Sequence, residues 1–126
     1  MIRKNAGFTL IELVVVIVIL GVLAAVAAPR FINLSAEAES AALSAQAGSL
    51  TTASALNYAK FVVTPAEADS TIENCTDVEG LLNAALDGYT ITAGVIGADP
   101  GDTTACTLTQ DSSTNTAEFT GIRTSS

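Results

Sequence analysis

The chain has 126 residues, with five Lys or Arg against thirteen Asp or Glu and a formal net charge of -8. This length gives room for one domain, and so acidic a surface repels phosphate backbones, so we expect no nucleic-acid partner. Histidine is absent, which excludes His-based catalysis and a zinc site of the usual Cys and His type. The composition predicts a protein that is not an enzyme and needs no metal or cofactor.

An apolar segment occupies residues 8–28 and contains one ionisable residue, Glu12. As a helix it spans roughly 31 Å, which matches the hydrocarbon core of a bilayer, where the backbone must satisfy its own hydrogen bonds. Arg3 and Lys4 precede it, so the positive-inside rule places the N-terminus in the cytoplasm. The segment is longer than the core of a secretory signal. A carboxylate costs about 2.5–3.5 kcal/mol at the membrane centre, which marks Glu12 as a functional candidate.

The string from Gly7 to Pro29 resembles the class III leader junction and N-terminal helix of type IV pilins and of the pseudopilins of type II secretion. A glycine, a phenylalanine, a glutamate five positions into the mature chain and a proline near the end of the run occur there together. The resemblance implies that a prepilin peptidase cleaves between Gly7 and Phe8 and methylates the new amine of Phe8. It also implies three regions: a leader (1–7), a transmembrane and filament-core helix (8–29), and a globular head that includes the second half of the long helix (30–126).

The continuation from Pro29 to Leu34 resembles the mannose-sensitive haemagglutinin type of major pilin, a branch of the type IVa group. The family resemblance implies a homo-oligomeric helical filament that serves adhesion, motility or biofilm formation. It places the subunit in the inner membrane, with a pilus assembly platform, before assembly, and in the extracellular pilus afterwards. The alternatives are a type II secretion pseudopilin or a minor pilin, and an exported domain with a plain anchor. The combination of Gly7, Phe8 and Glu12 disfavours the plain anchor.

A charge pair between Glu12 and the amine of Phe8 is the predicted basis of assembly. The reference pKa of an α-amine is about 7.7–8.0, so this group is largely cationic near neutral pH. Within one helix the two groups lie one turn apart, which allows an internal pair, whereas the resemblance implies a pair between neighbouring subunits. An unpaired charge in a low-dielectric filament core is heavily penalised, while a paired charge fixes the axial register.

Gly21 and Pro29 are the predicted weak points of this helix. Glycine costs a helix about 1 kcal/mol relative to alanine, and proline removes a backbone donor and crowds the preceding turn. We therefore expect the segment between them to loosen or kink when subunits pack in a filament.

After Pro29 an Ala-rich sequence without further proline predicts that the helix continues to about Lys60. Its apolar stripe for a small sheet is shallow and consists of Leu43, Ala47 and Leu50. The Ser and Thr run at 49–54 weakens this half as an isolated helix, so packing must hold it.

A second helix is predicted from Asp77 to Asp87, before Gly88. Thr76 and Glu79 have the spacing of a capping box, and apolar residues then recur at helical spacing. Downstream the period changes to two, which predicts strands at 89–96, 105–110 and 117–124. A three-stranded antiparallel meander on the second half of the long helix makes an α+β fold, the pilin fold.

Cys75 and Cys106 form an even pair in a chain whose N-terminus is typical of export, which predicts one disulfide, with two free buried thiols as the alternative. The bridge would close a loop of about thirty residues and contribute roughly 3–4 kcal/mol in the chain-entropy model. It would tie the second helix to the middle strand. Asp99 and Asp102 are expected to lie in a solvated turn rather than to bind calcium.

Overall fold

The computed structural model of the chain describes residues 7–125, except for the side chain of residue 32. The leader positions 1–6, with Arg3 and Lys4, lie outside the described residues. The elements follow in the order helix α1 (Leu10–Val63), two 3-10 helices (Pro65–Glu67 and Cys75–Leu81), and strands β1 (Tyr89–Ile91), β2 (Thr103–Gln110) and β3 (Thr116–Ile122). Chain contacts divide the molecule into two compact units, Met1–Ala38 and Glu39–Ser126.

Helix α1 confirms the predicted long N-terminal helix, with small differences at both ends. It begins at Leu10 rather than Phe8, and it continues three residues past Lys60 to Val63. Thr64 then adopts an extended conformation, with φ -150° and ψ 102°. The α region is disfavoured for a residue that precedes proline, so Pro65 ends the helix here.

The second unit is built around the predicted apolar stripe of α1. Leu43, Ala47 and Leu50 are buried, with exposed fractions of 3%, 4% and 0%. They belong to one core cluster with apolar residues of the sheet and the intervening loops: Ile72, Val78, Leu86, Ile91, Ile96, Leu108 and Phe119. Burial of apolar area, at about 25 cal/mol per Å², therefore holds this half of the helix in place.

The sheet confirms the predicted three-stranded antiparallel meander, with strand order β1-β2-β3. Strands β2 and β3 occupy nearly the predicted positions. The prediction of one strand over 89–96 is wrong, because β1 ends at Ile91 and the chain then changes partner. Val95 instead forms an isolated bridge with Asn74, and the backbone N–H of Ile96 donates to the carbonyl of Glu73 at 2.9 Å.

The predicted α-helix from Asp77 to Asp87 is also wrong, since a 3-10 helix runs from Cys75 to Leu81. Its capping box is formed by Asn74 and Asp77 rather than by Thr76 and Glu79. The Asp77 carboxylate accepts from the N–H of Asn74 at 2.8 Å, and the Asn74 side chain accepts from the N–H of Thr76 at 3.3 Å. The N–H of Cys75 also donates to the carbonyl of Gly94, so the cap is fixed by tertiary contacts that sequence spacing does not reveal.

Two hydroxyl groups of α1 satisfy the outer edge of β3. The N–H of Thr120 donates to the Thr51 hydroxyl at 3.1 Å, and the N–H of Ile122 donates to the Ser54 hydroxyl at 2.8 Å. An edge strand otherwise presents unpaired donors that invite pairing with another chain. The hydroxyl-rich run that weakens an isolated helix therefore closes the sheet edge in the folded head.

Asn57 is fully buried and connects α1 to the loop that follows it. Its amide nitrogen donates to the carbonyl of Ser70 at 2.8 Å, and its amide oxygen accepts from the N–H of Asp69 at 2.7 Å. The hydroxyl of Thr124 accepts from the N–H of Ile72 at 2.9 Å and donates to the same Ser70 carbonyl at 3.1 Å. Helix, loop and C-terminal segment are thus joined by one buried polar network.

Candidate functional site

The first half of α1 exposes a continuous apolar surface. Its large side chains are half or more exposed over most of the segment, from Phe8 (90%) to Val26 (62%). Among the described residues, α1 is the one helix long and apolar enough to cross a membrane by length and composition, with a mean hydropathy of 3.1 over its most apolar window. A contiguous apolar surface of this size marks a membrane or protein interaction site, because its exposure to water is energetically unfavourable.

The Gly7–Phe8 junction precedes the helix in non-helical backbone. Both residues are exposed, and no side chain or distant backbone of the described residues lies within 4 Å of the position where a Cβ of Gly7 would stand. Peptide cleavage requires an accessible and unwound segment, and the structure provides one at this junction. Cleavage there stays a prediction.

Thr9 forms hydrogen bonds with Glu12 at the start of α1. Thr9 is not among the functional residues predicted from the sequence. The Glu12 carboxylate accepts from the backbone N–H of Thr9 at 3.0 Å, and the Thr9 hydroxyl accepts from the N–H of Glu12 at 3.4 Å. This reciprocal arrangement is a capping box with Thr9 as the N-cap. The spacing of a threonine three residues before a glutamate was the available signal.

The capping box gives a physical reason for a carboxylate in this apolar segment. The first turn of a helix has unpaired backbone N–H groups and the positive end of the helix dipole, and both favour a negative side chain there. The negative charge of Glu12 is therefore partly compensated within the chain, before another subunit binds. Glu12 also lies four residues after Phe8, where cleavage of the leader would create a cationic amine.

Gly21 and Pro29, the predicted weak points, lie within an unbroken stretch of α1. The helix continues on both sides of Pro29. A Cβ added at Gly21 would meet no atom of the described residues within 4 Å, so no contact among them requires a glycine at this position. The predicted loosening concerns packed subunits, and it stays a prediction.

The predicted disulfide between Cys75 and Cys106 is present. Their Cα atoms lie 5.7 Å apart, and both residues are buried, with exposed fractions of 3% and 1%. Cys75 begins the second 3-10 helix and Cys106 lies in the middle strand, as expected apart from the helix type. The bridge therefore ties the loop region of the head to its sheet.

The turn at 97–102 is organised by Asp102. Hydrogen bonds donated to its carboxylate by the backbone N–H groups of Asp99 and Ala98, at 3.0 and 2.9 Å, hold the pKa of Asp102 below its usual value, and the positive charge of Arg123 acts in the same direction. Burial opposes this shift. Across the described residues no three His, Cys, Asp or Glu side chains are grouped as metal ligands. The two hydrogen bonds that the Asp102 carboxylate accepts join the end of the turn to its beginning.

Comparison with known proteins finds a family model and pilins that match part of this chain. Residues 2–28 match the family model of the prokaryotic N-terminal methylation motif. The type IV narrow pilus major component PilA5 of Thermus thermophilus is 47% identical over 53 residues, which is 42% of this chain and 46% of that protein. The type IV major pilin protein PilA of Myxococcus xanthus is 53% identical over 36 residues, which is 29% of this chain and 16% of that protein.

The matched region covers less than half of either relative, and no solved structure gives a significant match. The finer resemblance to mannose-sensitive haemagglutinin pilins stays a prediction. The methylation motif at 2–28 overlaps the apolar first half of α1. The N-terminal segment is therefore similar to that of type IV pilins with a class III leader, and it leads into an α+β, pilin-like head with a three-stranded antiparallel sheet.

Proposed function

We propose that this chain is the repeating structural subunit of a type IV pilus. The observation that carries the proposal is the exposed apolar first half of α1. Its first turn contains one carboxylate, that of Glu12, which belongs to the capping box with Thr9. Such a surface is compatible with lipid before assembly and with apolar helices of other copies afterwards. The similarity to PilA5 and PilA, whose names describe major pilus components, supports the same function.

Maturation follows from the N-terminal motif. A prepilin peptidase cleaves the peptide bond between Gly7 and Phe8 on the cytoplasmic face, and the new amine of Phe8 is methylated. The apolar helix is retained in the product and holds the subunit in the inner membrane beside a pilus assembly platform. After assembly the subunit resides in the extracellular filament, where it works by mechanical connection and surface contact rather than by catalysis.

Glu12 is the residue proposed to select the correct register between subunits. The carboxylate leaves its hydrogen bond with the Thr9 N–H, or shares it, to pair with the cationic Phe8 amine of a neighbouring copy. In a low-dielectric helix bundle, removing one partner of a charge pair leaves the other charge uncompensated, at a cost of about 3–5 kcal/mol. Subunits without this pair are expected to be inserted and cleaved normally but to assemble poorly.

The test compares Glu12→Val with Glu39→Gln, which removes an exposed carboxylate elsewhere on α1. Filaments are sheared from cells, and the chain is quantified and sequenced by mass spectrometry in both the sheared and the membrane fractions. The wild-type chain is expected to dominate the filament and to begin at Phe8. Glu12→Val should reduce filament protein at least about tenfold, because 1.4 kcal/mol already changes an equilibrium by that factor. Glu39→Gln should not.

Three results would redirect or overturn the proposal. A wild-type chain found in the cell envelope but not in sheared filaments would favour the pseudopilin, and a small share of filament protein would favour the minor pilin. A mature chain that begins beyond Pro29 would show that the apolar helix is discarded, which is incompatible with a pilin.

A further inference from the structure

A mixed charged and apolar face follows the membrane-length segment of α1. Arg30, Phe31, Leu34 and Glu37 line one shallow groove on this face. Phe31 and Leu34 are 69% and 57% exposed, and both charged residues are exposed as well. Two large apolar side chains beside two opposite charges form a surface suited to partial burial against a partner.

Among the described residues, the charges on this face have no ion-pair partner. Three basic residues occur among the described residues, and two of them form ion pairs: Lys60 with Asp69 at 2.7 Å, and Arg123 with Glu73 at 3.5 Å. Arg30 forms no ion pair with any described acidic residue. Its charge is therefore available to another molecule.

Helix geometry explains why Arg30 and Glu37 do not pair with each other. Side chains three or four residues apart are neighbours on a helix surface, whereas these two are seven residues apart, or about 10.5 Å along the axis. Seven residues turn a helix by nearly two full revolutions, so the two charges lie on the same face. A second helix shifted along the axis by about this distance places its cation beside the acid of the first.

We infer that Arg30 of one copy of this chain pairs with Glu37 of a neighbouring copy, and that Phe31 and Leu34 shield the pair from water. The inference rests on the proposed filament function and specifies one of its contacts. The occupant is a second copy, because the face carries both signs of charge and is complementary to itself after an axial shift. Partial burial lowers the effective dielectric constant and strengthens such a pair relative to an exposed one.

The direction of the shift agrees with the contact proposed for Glu12. A neighbour whose Phe8 amine lies level with Glu12 is displaced toward the C-terminal end of α1 by four residues, or at least about 6 Å, because the backbone before Leu10 is not helical. A neighbour whose Arg30 lies level with Glu37 is displaced in the same direction by about 10.5 Å. The long, flexible arginine side chain spans the difference, so one displacement serves both pairs.

The experiment uses charge reversal in the full-length chain expressed in its own cells. Arg30→Glu and Glu37→Arg are each expected to reduce sheared filament protein about tenfold or more, because each places like charges together in a partly desolvated contact. The double variant restores opposite charges and should recover filament protein to within about threefold of wild type, the margin left by imperfect geometry. Membrane levels of each subunit are measured in parallel to separate assembly from stability.

Glu39→Arg is the matched control. It makes the same change in charge at an exposed position two residues after Glu37, and two residues turn a helix by about 200°. This control should assemble like wild type. Three results would each overturn the pair while filaments of the wild-type chain persist. They are equal losses in Glu37→Arg and Glu39→Arg, wild-type yield from Glu37→Arg, and a double variant as defective as the single variants. Absence of the wild-type chain from filaments would instead overturn the proposed function along with the pair.

Discussion

Replacing Asn57 with alanine should destabilise the head more than any exposed substitution on α1. The side chain is fully buried, and it forms hydrogen bonds of 2.8 Å to the Ser70 carbonyl and 2.7 Å from the Asp69 N–H. Two further bonds are longer: the Ser70 N–H donates to the Asn57 amide oxygen at 3.3 Å, and the Asn57 amide nitrogen donates to the Thr124 hydroxyl at 3.4 Å. Alanine removes all four and leaves buried or half-buried polar groups without these partners.

The magnitude follows from those groups. Each intramolecular hydrogen bond contributes about 0.5–1.5 kcal/mol net, and a buried donor or acceptor left unsatisfied costs about 1–3 kcal/mol. Water entering the vacated space recovers part of this cost at the more exposed end of the loop. The free energy of unfolding is therefore expected to fall by about 2–4 kcal/mol.

The assay is urea unfolding of the full chain in detergent micelles, followed by near-ultraviolet circular dichroism. Both tyrosines, Tyr58 and Tyr89, lie in the head unit, so this signal reports on the head rather than on the apolar helix. Amide hydrogen exchange is measured in parallel and should accelerate at Asp69 and Ser70, whose N–H groups lose their acceptor.

Asn33→Ala is the matched control, because Asn33 is an exposed asparagine on the same helix. Its effect on unfolding should stay within about 0.5 kcal/mol, as for most surface substitutions. The reasoning is refuted if Asn57→Ala unfolds at the same urea concentration as Asn33→Ala, or if exchange at Asp69 and Ser70 does not change.

Replacing Cys75 and Cys106 together with serine should lower the free energy of unfolding by about 3–4 kcal/mol, because the bridge closes a 31-residue separation in the unfolded chain; urea unfolding measures it, and an unchanged midpoint would contradict the assigned role. Gly101→Ala should also destabilise the head, since φ at Gly101 is +93° and an added Cβ would lie 2.6 Å from the Tyr58 hydroxyl. The control is the same substitution at Gly48, which has open space around it. Asp102→Asn should lower stability at neutral pH. Because the pKa of Asp102 is lower in the folded state than its usual 3.8, the carboxylate contributes stability above about pH 4 that disappears as the pH falls through the folded-state pKa. The difference between wild type and Asp102→Asn should thus shrink on acidification, and a difference independent of pH would oppose this account.

Several features of this protein follow from local sequence alone. The apolar run forms a helix both in lipid and in a helix bundle, since in either environment the backbone must satisfy its own hydrogen bonds. The stripe of Leu43, Ala47 and Leu50 and the period-two strands identify the faces that must be buried, and the structure buries them. The pairing of Cys75 with Cys106 could be predicted without knowledge of the structure, because two cysteines allow one intramolecular bridge.

Other features depend on contacts between residues far apart in the chain. The roles of Thr51 and Ser54 at the edge of β3, and of Asn57 in the buried network, arise because the packed sheet and loop bring distant backbone groups to these side chains. A polar residue on a helix gives no local sign of whether it faces water or an unpaired backbone donor. Likewise, the second helix is a short 3-10 segment because distant contacts at Asn74 and Cys75 fix its start. Sequence determines which segments bury apolar surface, and the tertiary structure decides which polar groups meet, because hydrogen bonds require positions that only the packed chain supplies.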